Sequence, residues 1–375
     1  MKKNTKTIGI DARLYGPHAK GLGRYAKEIV DRILEMDDAQ DRNYVIFLSL
    51  ESYDSFVIDK KNVKKVLVKA RWYSLLEQIS FPILIWGERI DLMHFLHFNV
   101  PAFTPCKFIV TIHDLILTKF PSQRASTLSP LIYKIKYWGY RIIIKLAVKR
   151  ARKIIAVSNF TRDDIRDKFK IDSKKIKVIY EGVTSLDRKQ KSSKALNKYN
   201  IKKPYLLYVG NAYPHKNLEW LVRVFKDMRA EINDINLVLV GSEDYFYKRL
   251  KEYAKKIESP VTFTNYVSDE ELSELYKNAS AYIFPSKYEG FGLPPLEAMS
   301  QGCPVISSNH PCLKEILGDA AIYFDPDKGK EVIEHVKEIM GNDDLRDRLQ
   351  SKGYEQIKKY DWARAAKETF NLYNI

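Results

Sequence analysis

The chain has 375 residues, 45% of them hydrophobic, and carries 63 Lys and Arg against 47 Asp and Glu, a formal net charge of +16. This length suits two domains with separate cores, and the apolar content excludes a disordered or low-complexity chain. Three cysteines, Cys106, Cys303 and Cys312, have neither an even count nor metal-ligand spacing, which argues against a disulfide framework or a zinc site.

The N-terminus, from Met1 to Lys6, leads directly into a strand-like run at 7–10, so no secretory signal is expected. No apolar run approaches the roughly 18 residues of a spanning helix, and a cytoplasmic protein is expected. Further strands are predicted at 44–50, 63–68, 91–96, 108–112, 153–157 and 176–180, then at 205–209, 236–240, 261–263, 281–284, 304–307 and 321–324. Their alternation with helical patterns in both halves predicts an α/β protein with two Rossmann-like, doubly wound parallel sheets. The expected organisation is a first domain at 1–185, a Ser-, Lys- and Gln-rich linker at 186–203, a second domain at 204–360 and a terminal helix at 361–375, with an active cleft between the halves.

Within the first half, Gly21 and Gly23 fall in the expected loop after the first strand. Asp11 to Arg24 lacks Gly-x-Gly-x-x-Gly, so a dinucleotide-binding dehydrogenase is a weak reading. His94 and His97 are three apart on a strand and would face opposite sides, a poor metal pair. His113 follows the strand at 108–112 and should project from the carboxyl edge of the first sheet.

Residues 1–200 hold 39 basic against 20 acidic residues and 201–375 hold 24 against 27, so the basicity belongs to the first half. Its densest part is the helical pattern at 131–153. At about 100° per residue, Lys134, Arg141, Lys145, Lys149 and Arg152 fall within roughly an 80° stripe, flanked by Ile135, Ile142 and Leu146 on one side and by Tyr133, Tyr137 and Ile144 on the other. One reading is a mostly buried helix with a solvated basic edge; the other is a peripheral contact with an anionic membrane surface. Nucleic acid is the rival partner for so basic a chain, but no helix-turn-helix, RNA-binding sheet or zinc pattern supports it.

In the second half, Lys216 follows the strand at 205–209 and a turn containing Pro214. The richest stretch comes after the apolar run Ala281 to Phe284: Glu289 and Glu297 are separated by Gly290-Phe291-Gly292-Leu293-Pro294-Pro295-Leu296. A strand, a glycine loop and a proline-started helix would place Glu289 in the loop and Glu297 in the first helical turn, beyond the carboxyl end of a parallel strand where such sheets bind ligands. Helix-start amides favour phosphate and carboxylates accept hydrogen bonds from hydroxyls, so a sugar diphosphate fits both. An ordinary strand-to-helix connection is the alternative.

The segment Pro285 to Met299, with Gly302-Cys303-Pro304-Val305-Ile306 and Gly318-Asp319-Ala320-Ala321, resembles retaining glycosyltransferase family 4. So do Gly21-Leu22-Gly23-Arg24-Tyr25, Thr111-Ile112-His113-Asp114-Leu115, Ile155-Ala156-Val157-Ser158-Asn159, and Tyr208-Val209-Gly210 leading to Lys216-Asn217-Leu218. The resemblance spans nearly the whole chain and implies the glycosyltransferase B fold, a nucleotide-sugar donor, a glycan or lipid-linked glycan acceptor, and no cofactor or required metal. The Asp-x-Asp at Asp325 to Asp327 is accordingly assigned no metal.

By the same resemblance, Glu289 orients the donor sugar, Lys216 neutralises the departing diphosphate and His113 meets the sugar. Glu297 holds the ribose, and Gly290, Phe291, Gly292 and Leu293 read hydroxyls and phosphate through their backbone. Gly210 and Asn211, and the Gly21 and Gly23 segment, approach the donor. Two positions depart from the family pattern: Asn211 stands where an arginine is common, leaving His215 or an arginine of the other domain to supply the missing charge, and Glu181 stands where many members have asparagine.

The implied reaction is hexosyl transfer with retention. The details most resemble bacterial polysaccharide mannosyltransferases using GDP-mannose; a UDP-sugar-dependent enzyme for glucose, galactose or N-acetylglucosamine, and a non-catalytic sugar-nucleotide-binding subunit, are the alternatives.

Overall fold

A computed structural model describes residues 5–120, 129–184 and 194–375. The chain divides into two compact units. The first runs to Gly182 and takes up the terminal segment Asp361–Ile375; the second is Val183–Tyr360. Among the described residues the first unit holds seven strands, β1 (Thr7–Asp11), β2 (Asn43–Leu48), β3 (Val63–Leu67), β4 (Leu92–Phe95), β5 (Lys107–Ile112), β6 (Lys153–Ala156) and β7 (Ile176–Val178). They form one parallel sheet in the order β3-β2-β1-β4-β5-β6-β7. The second unit has β8 (Tyr205–Val209), β9 (Asn236–Val240), β10 (Val261–Asn265), β11 (Ala281–Phe284), β12 (Val305–Ser308) and β13 (Ala321–Phe324), parallel in the order β10-β9-β8-β11-β12-β13.

Both orders reverse direction once, between β1 and β4 and between β8 and β11. These are the switch points where loops leave a sheet in opposite senses and open a crevice at its carboxyl edge. Strands β4, β11 and β12 are buried along their whole length, so a run such as Ala281-Tyr282-Ile283-Phe284 is apolar without alternation.

In the first unit, Val45, Phe47, Met93, Phe95, Phe108 and Val110 on one sheet face pack beneath the helices Leu75–Gly87 and Pro130–Arg150. The opposite face is covered by the helix Lys20–Glu35 together with the terminal helix Trp362–Asn371. The terminal segment is tied in by Tyr373, whose hydroxyl lies 2.8 Å from His94 Nδ1, and by Lys6, which donates to the Tyr373 and Ile375 carbonyls. His94 also meets Thr111 Oγ1 at 3.0 Å. Burial pushes its pKa down to about 3, so it is a neutral core histidine.

The expected linker differs from the structure. Its residues 186–193 lie outside the described residues, but Lys194–Lys198 is a helix of the second unit, with the Ala195 amide donating to Glu274. Ala195, Leu196 and Ile201 are buried there. Three apolar residues among many polar ones are too few to show periodicity, which is why the stretch reads as a linker. No helix of the described residues is long and apolar enough to cross a membrane.

Candidate active site

At the β8/β11 switch point, two loops meet. After β8, Gly210 adopts φ 150°, and its carbonyl accepts from the Tyr247 hydroxyl at 2.8 Å. Pro214–Lys216 then form a single helical turn, which Asn217 ends in the left-handed conformation before the helix Leu218–Glu231. After β11 comes the glycine loop, held to the first by the Lys287 amide donating to the His215 carbonyl at 2.8 Å. This clamp brings Lys216 Nζ to 2.6 Å from Glu289 Oε1, with both side chains largely buried. Burial pushes the Glu289 carboxyl up, but the Lys216 charge, with smaller contributions from His215, the Lys216 hydrogen bond and Ser286, outweighs it, and the net shift is below the ordinary carboxylate value.

Gly292 is the residue before the helix Leu293–Ser300 and has φ 103°. It is this backbone conformation that demands glycine, since a Cβ there would meet only the tip of the Leu313 side chain, at 2.9 Å. Glu297 is buried, 3.4 Å from the Tyr276 hydroxyl, and falls just past the first helical turn where the sequence places it, because the helix starts already at Leu293, before the prolines. Pro294 and Pro295 also remove two of the four first-turn amide donors, so this helix start offers less to an anion than a proline-free one. Phe291 is buried with its ring edge-on to Tyr360, which leaves its backbone as the part available to a ligand.

His215 cannot supply the cation that Asn211 fails to provide. Burial, and then the neighbouring Lys216 charge, push its pKa down to about 4, so it is neutral near pH 7. Asn211 itself shapes the loop, its side-chain oxygen accepting from the Tyr213 amide and its carbonyl from the Tyr208 hydroxyl. In the Asp-x-Asp at Asp325 to Asp327, Asp327 pairs with Lys287 and Asp325 with Lys328. Among the described residues no three His, Cys, Asp or Glu side chains are grouped to hold a metal.

In the first unit, His113 follows β5 and is buried. Its Nδ1 lies 3.0 Å from Glu181 Oε1 and its Nε2 3.0 Å from the Leu96 carbonyl, two acceptors. Burial alone would lower its pKa, but Glu181, the Leu96 carbonyl and Asp114 together raise it above the ordinary histidine value. Tyr25 stands edge-on to the ring at 4.5 Å, and Trp362 packs on Tyr25 in turn. Glu181, a family departure without an evident consequence in sequence, is therefore the partner of His113. Gly182 beside it lets the terminal helix approach, since a Cβ would meet the Trp362 amide nitrogen at 2.3 Å.

Gly21 and Gly23 are not in a loop. They belong to the first turn of Lys20–Glu35, because the chain after β1 becomes helical earlier than glycine-rich sequence suggests. A Cβ on Gly23 would fall 1.9 Å from the Gly16 carbonyl oxygen, whereas Gly21 has open space around it.

The sequence reading also misses a buried network at the carboxyl ends of β1 and β4. Arg13 donates to both oxygens of Asp11 at 2.7 Å and to Glu77 at 2.6 Å, between the rings of Trp72 and Phe81. Asn99 and the Tyr73 amide complete the shell of Glu77. Asp-x-Arg at a strand end was the available signal. Lys134, Arg141, Lys145 and Lys149 are exposed along the helix Pro130–Arg150, with Arg152 exposed just beyond it. The helix is not mostly buried: Ile135 and Ile142, expected to pack on one flank, are 64% and 56% exposed.

Two Rossmann-ordered parallel units, with a lysine–glutamate pair and a glycine-loop helix at the second switch point, are the architecture of the glycosyltransferase B fold. The family described as Glycosyl transferases group 1 matches residues 189–356 and that described as Glycosyltransferase Family 4 matches residues 21–185. The chain is 30% identical to the O-antigen chain mannosyltransferase RfbU of Salmonella typhimurium over 78% of this chain and 75% of that one. It is 27% identical to O-antigen chain mannosyltransferase B of Escherichia coli over 95% and 96%. The solved structure of sucrose-phosphate synthase from Thermosynechococcus elongatus has the same fold, with a TM-score of 0.75 at 19% identity over 98% of both chains.

The chain belongs to glycosyltransferase family 4. It is a hexosyltransferase.

Proposed function

We propose that this protein transfers mannose from GDP-mannose, with retention, to a lipid-linked glycan in the building of a surface polysaccharide. The mannosyl part rests on the names of its relatives; the chemistry rests on one observation, the Lys216–Glu289 pair at the mouth of the second sheet. A departing diphosphate carries at least two negative charges, and a fixed ammonium beside it lowers the barrier without reorganising at the moment of reaction. Glu289, ionised and held in place, accepts hydrogen bonds from sugar hydroxyls and orients the ring. Glu297 takes the ribose, and the backbone of Gly290 to Leu293 faces phosphate and hydroxyls. In this reading the phosphate receives the acceptor proton on the same face of the sugar, and neither metal nor cofactor takes part.

The acceptor's lipid places the enzyme at an anionic membrane surface, which Lys134, Arg141, Lys145, Lys149 and Arg152 meet electrostatically. Incubating the protein with labelled nucleotide sugars and lipid extract, and weighing the product, tests the whole. Turnover of UDP sugars with GDP-mannose ignored would remove the mannosyl assignment and leave the family intact; donor binding without turnover would point to a non-catalytic subunit.

A further inference from the structure

Two helices of the first unit show large apolar side chains to solvent in matching stripes. On Leu75–Gly87, the residues Leu75, Ile79, Ile83 and Trp86 are 61–85% exposed. They fall within about 80° of the helix circumference, opposite the buried Phe81 and Ile85. On Pro130–Arg150, the residues Leu131, Ile135, Trp138 and Ile142 are 56–69% exposed. They span about 60°, opposite the buried Tyr140.

Since Phe81, Ile85, Tyr140 and Ile144 join one core on one face of the sheet, both stripes point outward from the same layer. The loop after β4 links the helices: Gln78 accepts from the Ala102 amide, and Arg150 donates to the Ala102 and Thr104 carbonyls. Between those anchors stands Phe103, 82% exposed. Scattered exposed leucines need no explanation, but two apolar stripes on one layer, with a phenylalanine on the loop that links their helices, exceed scatter and are of the kind that marks a docking surface.

Charge identifies what covers it. From Leu115 to Arg162 the sequence contains no Asp or Glu. Lys134, Arg141, Lys145 and Lys149 border or extend the second stripe, and the only carboxylate within the first helix, Glu77, is buried against Arg13. A second copy of so basic a face would be repelled. An anionic bilayer supplies both complements, acyl chains for the apolar stripes and headgroups for lysines that can extend toward them. Each stripe carries one tryptophan, Trp86 and Trp138, the residue type whose amphipathic ring is enriched at a membrane interface.

We infer that the Leu75–Gly87 and Pro130–Arg150 helices, with Phe103, form a single face that enters the interfacial layer of an anionic membrane, so that anchoring is apolar as well as electrostatic. The inference rests on the membrane contact proposed above and deepens it.

Flotation of the full chain with vesicles of phosphatidylcholine and phosphatidylglycerol tests it, with donor hydrolysis read in parallel without vesicles. We expect a bound fraction that survives about 0.5 M salt in substantial part. Ile79→Ser with Ile83→Ser should lower binding about tenfold while thermal stability and donor hydrolysis stay unchanged. Bromine on the acyl chains should quench tryptophan fluorescence, and Trp86→Phe with Trp138→Phe should remove that quenching. Binding abolished by salt yet indifferent to the serine substitutions would overturn the apolar face and leave the electrostatic contact. A dimer that the same substitutions dissociate in the absence of vesicles would overturn it in favour of self-association. Loss of donor hydrolysis in the unaltered chain would instead count against the transferase reading.

Discussion

Lys216 Nζ stands 2.6 Å from Glu289 Oε1, joining across 73 residues the two side chains to which separate parts of the donor are assigned. Lys216 holds Glu289 in its charged form, and each orients the other before any donor arrives. Removing either should lower kcat about 10²–10³-fold, the usual scale for one preorganised electrostatic contact. Because they act together, Lys216→Met and Glu289→Gln combined should cost less than the product of the two, as a double-mutant cycle on kcat/KM would reveal. Independent, multiplying losses would mean that the pair is not a working unit.

The same pair sets a pH dependence of stability. The folded pKa of Glu289 is lowered, so its contribution is present above the unfolded carboxylate value of about 4.3 and is lost as pH falls through the folded value. In Lys216→Met the largest lowering influence goes, leaving only His215 and Ser286 against the burial that pushes the carboxyl up. The acid edge of the melting-temperature profile should then move to higher pH; an edge that stays in place would show that Lys216 does not govern this carboxylate.

His113 behaves in the opposite sense. Both ring nitrogens face acceptors, Glu181 and the Leu96 carbonyl, an arrangement that suits the imidazolium. With its pKa raised, its stabilising contribution is complete below the unfolded value of about 6.5 and disappears as pH rises through the folded value. The groups around it are Glu181, Asp114, Tyr25 and the neutral His94 and His97, the last two held down to about 3 by burial. Glu181→Gln should therefore let burial win and move the His113 titration, followed by NMR, to lower pH. If His113 meets the donor sugar as a cation, the alkaline limb of kcat/KM should move with it, and a limb unmoved while the titration shifts would remove that role.

Arg13 offers a test of stability alone. It is fully buried between Asp11 and Glu77, so Arg13→Ala would strand two carboxylates in the core. A loss of about 3–5 kcal/mol in denaturant unfolding of the first unit is expected. A loss under about 1 kcal/mol would show that water or a rearranged neighbour replaces the guanidinium.

The strands were legible because buried parallel strands are short apolar runs with sharp polar ends, and the Glu289 to Glu297 segment was legible because chain neighbours make its loop and helix start. The pairings were not. Arg13 with Glu77 and His113 with Glu181 join residues 64 and 68 apart, and no spacing rule encodes contacts from a strand end to a distant helix start or to another strand end. Nor could periodicity tell which apolar flank of Pro130–Arg150 is covered. Ile142 and Ile144 are both isoleucine, yet one is 56% exposed and the other 1%, because only the sheet beneath decides which side packs.

Gly21 and Gly23, alike in sequence, should respond in opposite ways to alanine. At Gly23 the new Cβ would fall 1.9 Å from the Gly16 carbonyl oxygen, a backbone atom that cannot swing aside, so Gly23→Ala must displace the helix start or the loop after β1 and should destabilise the first unit. At Gly21 nothing lies within 4 Å, and alanine in a helix is favoured over glycine by about 0.5–1 kcal/mol. Gly21→Ala should accordingly melt at the same or a higher temperature. Its kinetics then isolate function from packing. If donor or acceptor approaches this helix start, the added methyl should raise KM severalfold in a protein that is no less stable, whereas unchanged kinetics would assign both glycines to the architecture alone.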